Sequence, residues 1–264
     1  GRKPTAKALA KTGTHSICRK NPFSAWSVTL QQKLPAKPPS ARKTTHSAHS
    51  RVFAATERLR ISSRPMPVEA SGAIKLMVSQ GDFAPVKVEG DENILPYIEI
   101  RQDGDRIEIR TRSGYNISPT NDLIVYVTAP VYSSIEVSGA SDIKGQNKIS
   151  NPENLELEAS GAGDIEMDVD APEITSKITG SGSIRLKGQT KDLDIELSGA
   201  GHAYCFDLLS ENTKVDISGA GSAEVFASVK LEAEVSGVGN VTYKGNATNV
   251  SQHVSGAGSV NKAD

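Results

Sequence analysis

Residues 154–170 read NLELEASGAGDIEMDVD, and their alternation decides the fold. Leu155, Leu157, Ala159, Gly161, Gly163, Ile165, Met167 and Val169 share one parity; Glu156, Glu158, Ser160, Ala162, Asp164, Glu166 and Asp168 share the other. A period of two is the signature of a strand with one buried face. The same split recurs in LDIELSGAGHAYC (193–205) and in LEAEVSGVGNVTY (231–243).

The glycine-rich centre of this stretch returns as SGASDI at 138, TGSGSI at 179, SGAGHA at 198, SGAGSA at 218, SGVGNV at 236 and SGAGSV at 255. Each copy supplies a strand, a glycine corner, a second strand and a short polar link. A unit of about 19 residues cannot bury its apolar face alone, whereas stacked units bury a continuous column. The pattern predicts an all-β chain whose core is a parallel β-solenoid, one repeat per coil; antiparallel hairpins are the alternative, but they do not call for a constant period. The corner glycines are Gly139, Gly161, Gly163, Gly180, Gly182, Gly199, Gly201, Gly219, Gly221, Gly237, Gly239, Gly256 and Gly258. Both glycines of each pair fall on the inward parity, where a Cβ would obstruct the turn. Ser141 is the one departure at the second site.

Charge divides the chain. Residues 1–64 hold fourteen of the thirty Lys and Arg but only one of the 31 Asp and Glu, so a basic arm precedes an acidic body over 65–264. The arm has little apolar periodicity and is expected to be disordered. Its composition fits a tail for an anionic partner, a transit segment or an unstructured leader, and it shows no apolar core of a secretory signal. His46 and His49 lack a neighbouring carboxylate, and Ile17 before Cys18 does not suit a lipid attachment site. Within the body, residues 65–131 are less regular: Asp103-Gly104 marks a hairpin, and this part is expected to cap the regular coils of 132–264. No apolar run is long enough for a membrane-spanning helix.

Stacking turns each repeat position into a column. Two residues before the repeat Ser or Thr lie Glu136, Glu158, Lys177, Glu196, Asp216, Glu234 and His253. The carboxylates Glu136, Glu158, Glu196, Asp216 and Glu234 are expected to form an outward acidic stripe, which reads as a solvated face or, speculatively, as a place where calcium bridges adjacent coils. No catalytic residue, cofactor site or nucleic-acid partner emerges for the body. Ser138, Ser160, Thr179, Ser198, Ser218, Ser236 and Ser255 lack a nucleophile elbow, and their hydroxyls are expected to cap the corner backbone. The GAG and GVG corners lack the further elements of a phosphate loop. His202 and Asp164 would stand two coils apart, too far for direct partnership. Cys205 reads as a small core residue.

SGAIKLMVSQGD (71–82), VEGDENILPYIEI (88–100) and the serial SGAG corners together resemble the bacterial family named putative autotransporter adhesin, head GIN domain, over about residues 65–262. The resemblance implies a β-helix-like secreted or cell-envelope protein without established enzymatic activity. A binding scaffold for a glycan or a surface protein is then the expected role; a carbohydrate-active β-helix enzyme and a ligand-free spacer are the alternatives.

Overall fold

The computed structural model describes residues 65–263 and, for the backbone alone, the short strands Trp26–Thr29 and Ser50–Ala54. Cys18, His46, His49 and most of the basic arm lie outside the described residues. The two arm strands pair antiparallel with Ile98–Asp103 and Ala84–Asp91, so the pairing of the cap reaches across residue 64.

The repeats stack as parallel coils in strict register. Ser160 lies beside Ser138 and Thr179, and the ladder continues through Ser198, Ser218, Ser236 and Ser255 without a slip. About seven coils of about 19 residues form a β-solenoid. Each coil has a first face, whose strand runs into the Ser-Gly corner, and a second face, whose strand leaves it. Asn154–Gly161 is a first-face strand, and the start of Asp164–Gly180 is the second-face strand that follows it.

Alternation along both faces sends every other side chain into one core. Leu193, Ile195 and Leu197 of one coil are buried above Ile174, Ser176 and Ile178 of the coil below. Each such apolar side chain contributes roughly 1.5–3 kcal/mol relative to exposure. Pro172 falls where the paired register of Asp164–Gly180 skips one residue, so its missing N–H breaks no ladder bond. Thr190 of the next coil ties this bend by donating its hydroxyl to the carbonyls of Pro172 (3.3 Å) and Asp192 (3.0 Å).

The two glycines of a corner do different jobs. Gly161 has φ +125°, a conformation that side chains rarely adopt. It is exposed, not inward as strict alternation predicts, because the chain is rounding the corner and no face is defined there. Burial resumes at Gly163, where a Cβ would fall on the Ser141 carbonyl oxygen of the coil below. Corner hydroxyls do not cap this turn. The Gly139 carbonyl accepts the Ala162 N–H at 3.0 Å and the Gly161 carbonyl accepts the Ser181 N–H at 2.9 Å, so the inter-coil ladder itself runs through the corner.

The corner column starts one coil earlier than the glycine repeat shows. Ser71-Gly72 lies in register with Ser138-Gly139, but the second-glycine site holds the buried Ile74. Above it sits Ser141, whose hydroxyl donates to the Gly72 carbonyl (3.0 Å) and accepts the Ile74 N–H (3.3 Å). Ile74 and Ser141 thus fill the end of the column where glycines are no longer pressed between two coils.

Stacking order departs from chain order at this end. The coil formed by Met66–Gly72 and Lys75–Gln80 is held between Arg106–Thr111 with Ile124–Ala129 on one side and Tyr132–Gly139 with Asp142–Gly145 on the other. Beyond it, Ala84–Asp91 runs antiparallel to Ile124–Ala129, and Ile98–Asp103 pairs with Arg106–Thr111 in the hairpin expected around Asp103-Gly104. Glu99 is buried in this cap and faces Arg101 (2.9 Å), Arg110 (3.5 Å) and Arg112 (3.9 Å). Asp91 holds the returning loop by accepting the backbone N–H groups of Thr120 (2.7 Å) and Asn121 (3.2 Å).

Candidate functional site

The parallel register assembles the acidic column. Glu136, Glu158, Lys177, Glu196, Asp216, Glu234 and His253 are successive lateral neighbours on the first face. Glu69 and Glu108 extend the column past its predicted start, since Glu69 lies beside both Glu108 and Glu136. Glu69 was within reach of the sequence, since EASGA at 69–73 repeats EASGA at 158–162, whereas Glu108 was not, because the coil that carries it is threaded out of order.

Lateral neighbours in a sheet are about 4.8 Å apart, so like charges in such a column repel. Lysines relieve part of this. Lys214 bonds Asp216 at 2.5 Å and lies 3.7 Å from Asp194, Lys230 reaches Glu232 at 2.8 Å, and Lys177 stands 3.9 Å from Glu156. Asp194 is set back between these groups. Burial pushes its carboxyl above the usual range; Lys214 opposes this, while the charges of Glu196 and Asp216 add to it. Glu196, Asp216 and Glu234, with Ser198, Ser218 and Ser236, line a shallow depression of about 330 Å³ across three coils.

The hydroxyls of this depression repeat from coil to coil. Among the described residues no three His, Cys, Asp or Glu side chains are grouped so as to hold a metal ion, so the calcium reading finds no ready-made cage. A column of parallel, outward carboxylates does not converge on one point.

On the second face, Asp164, Ser183, His202 and Ser222 are successive neighbours. Asp164 and His202 are therefore two coils apart, each with its own partner: Asp164 accepts from the Ser183 hydroxyl at 2.5 Å, and His202 Nδ1 lies 2.7 Å from the Ser222 hydroxyl. They do not form a pair. Cys205 is fully buried, and burial pushes its thiol up to about 12. Tyr204 of the same strand points outward, with the Arg185 guanidinium 4.8 Å from its ring centre. This feature was not anticipated; the parity of His202, Tyr204 and Phe206 places three rings on one side of the chain and was the available signal.

The family model described as "putative auto-transporter adhesin, head GIN domain" matches residues 65–247. The chain belongs to this family. Solved structures share the fold of this GIN-domain chain. A putative adhesin from Bacteroides fragilis is 18% identical with a TM-score of 0.73, the match covering 82% of this chain and 97% of that one. A putative adhesin from Parabacteroides distasonis is 24% identical with a TM-score of 0.63, covering 83% and 98%. A structure from the same species described as a putative lipid binding protein is 20% identical with a TM-score of 0.61 and the same coverage. No curated protein matches the sequence. Among the described residues of this GIN-domain chain, no helix is long and apolar enough to cross a membrane.

Proposed function

We propose that the chain is a non-enzymatic secreted or cell-envelope scaffold, a rigid β-solenoid that presents extended polar faces to a glycan or a surface protein. The observation that carries this reading is the unbroken lateral register of outward side chains, from Glu108 and Glu69 through His253 on the first face. Repetition makes a surface with many equivalent contacts, which suits a long or multivalent partner. It does not make the single, convergent and electrostatically perturbed cluster that catalysis needs. Family membership supports the adhesin-like role.

The test is a screen of the full chain against an array of bacterial and host glycans, run beside a turnover assay on the same glycans. Saturable binding with no product is the expected result. Depolymerisation or release of sugar would replace this reading with the enzyme alternative, and no binding to any array member or surface protein would leave only the spacer.

A further inference from the structure

We propose that the ring-bearing patch centred on Tyr204 binds an acidic polysaccharide, with sugar rings stacked on the patch and their carboxylates paired with Arg185. This rests on the scaffold reading above and supplies it with a site and a ligand class.

The patch is singular in its coil. In the two coils below, the outward residues that follow the corner are Asp164, Glu166 and Asp168, then Ser183, Arg185 and Lys187. The next coil carries His202, Tyr204 and Phe206 instead, and Phe226 adds a fourth ring one coil above. Tyr204 is 37% exposed, and its ring lies 6.2 Å from the His202 ring at an interplanar angle of 26°. The rings of His202 and Tyr204 lie outside the core, because their strand buries Ala203 and Cys205 on its other side. An exposed tyrosine offers a large, stiff apolar plane with a polar tip, a surface that costs little entropy to use in recognition.

The cations here are also set apart. Among the described residues of coils 132–262, Lys144, Lys148, Lys177, Lys187, Lys191, Lys214 and Lys230 each lie within 4.0 Å of a carboxylate. Arg185, Lys244 and Lys262 do not. The first two lie over rings of this patch instead, Arg185 at 4.8 Å from the centre of Tyr204, where it also donates to the Ser183 hydroxyl (3.2 Å), and Lys244 at 4.2 Å from that of Phe206. A ring orients a cation without neutralising it, so both charges remain available to an anion. On the first face the acidic column would repel the same anion.

Acids are present at the rim and define what the ligand offers there. Glu166, held by Lys144 at 3.1 Å, is the lateral neighbour of Arg185 on the side away from Tyr204; Glu224 is that of Tyr204 on the side away from Arg185, and Asp168 and Asp207 lie nearby in the chain path. A ligand with carboxylates toward Arg185 and hydroxyl donors toward Glu224 satisfies both sides. Uronic-acid polymers carry both groups on each ring. The patch lies on an outward sheet face, which favours a chain lying across coils; ring positions recur about 6.7 Å apart along the strand and about 4.8 Å apart between coils.

The test is calorimetric titration of the full chain, at physiological salt, with an oligogalacturonate and with a neutral galactan of matched length. The oligogalacturonate is expected to bind, and the galactan at least about tenfold more weakly, the scale of one desolvated cation–carboxylate contact. Tyr204→Thr, which keeps a strand-forming side chain, and Arg185→Gln should each weaken oligogalacturonate binding about tenfold without moving the melting temperature, whereas Arg185→Lys should keep the preference for the acidic glycan. Glu196→Gln on the other face should leave the affinity unchanged. Unaltered affinity in Tyr204→Thr, equal affinity for the neutral glycan, or no binding of oligogalacturonate overturns the assignment. The scaffold reading stands apart from that outcome, since it is judged by the glycan and surface-protein screen and survives if other ligands bind independently of Tyr204.

Discussion

Gly161 and Gly163 are two residues apart in one corner, and three alanine variants separate what each contributes. Gly104 has φ +63° with nothing within 4 Å of a built Cβ, so Gly104→Ala carries the backbone term alone, about 1 kcal/mol. Gly163 has no positive φ, but its Cβ would meet the Ser141 carbonyl oxygen, which is ladder backbone and cannot rotate away. Forcing the coils apart there costs roughly 2–3 kcal/mol. Gly161 combines φ +125° with a Cβ that would fall on the Gly139 carbonyl, and the two terms together reach about 3–5 kcal/mol. For a domain of this size each kcal/mol lowers the melting temperature by about 2–4 °C, so Gly161→Ala should melt roughly 6–20 °C low and Gly104→Ala only about 2–4 °C low. Differential scanning calorimetry of the four proteins reads the order directly. A Gly163→Ala protein that melts with the wild type, or a Gly104→Ala protein that melts lowest, refutes the close coil-to-coil contact on which the argument depends.

Ser141→Ala removes a buried hydroxyl that serves both Gly72 and Ile74 and should cost about 1–3 kcal/mol in chemical denaturation; a neutral result means the hydroxyl is not a structural plug. Burial alone would raise the Asp91 carboxyl, but hydrogen bonds from Asn121 and Thr120 outweigh it and hold its pKa below the usual value. Its contribution is therefore complete above about pH 5 and is lost as pH falls through the lowered folded pKa, so the protection factors of the Thr120 and Asn121 amides, corrected for the intrinsic exchange rate at each pH, should fall on acidification in the wild type and be low at every pH in Asp91→Ala. With its thiol pushed up to about 12, Cys205 should resist alkylation at pH 8 in a Cys18→Ser background until the chain is unfolded; prompt labelling of the native protein contradicts the burial. Calcium at constant ionic strength should stabilise the chain no more than magnesium does, and a calcium-specific rise that Glu196→Gln and Glu234→Gln abolish would restore an ion-bridging role to the column.

Alternation along the strands on either side of each corner made their inward and outward sets legible, and the constant period made the lateral register legible, so the sequence places Glu158 beside Glu136. What escaped depended on contacts between distant parts of the chain. Ser71-Gly72 begins the corner column, but Ile74 at the second site conceals it from a search for paired glycines. Glu108 joins the acidic column only because residues 106–129 return beneath residues 66–80, and no local pattern encodes that return. Alternation assigned one role to both glycines of a pair, since it cannot distinguish a residue that must turn the chain from one that must make room for a neighbour. The Tyr204 patch is half local and half not: its parity is in the sequence, whereas the approach of Arg185 and Lys244 requires the stacked coils.

The displaced coil at the amino-terminal end has a consequence for synthesis and for truncation. Residues 66–80 emerge from the ribosome early, yet both of their neighbouring coils, 106–129 and 132–145, are made after them. Backbone and side-chain bonds such as that from Asn147 to Gln80 close a span of 67 residues, so this end cannot be sealed until about residue 147 has appeared. From there onward every coil rests on one already in place, and the ladder can lengthen by simple addition. Shortening from the carboxyl end should then erode stability in modest steps of one coil, while any cut that removes residues 66–80 takes the keystone from between two coils and collapses the whole amino-terminal block together.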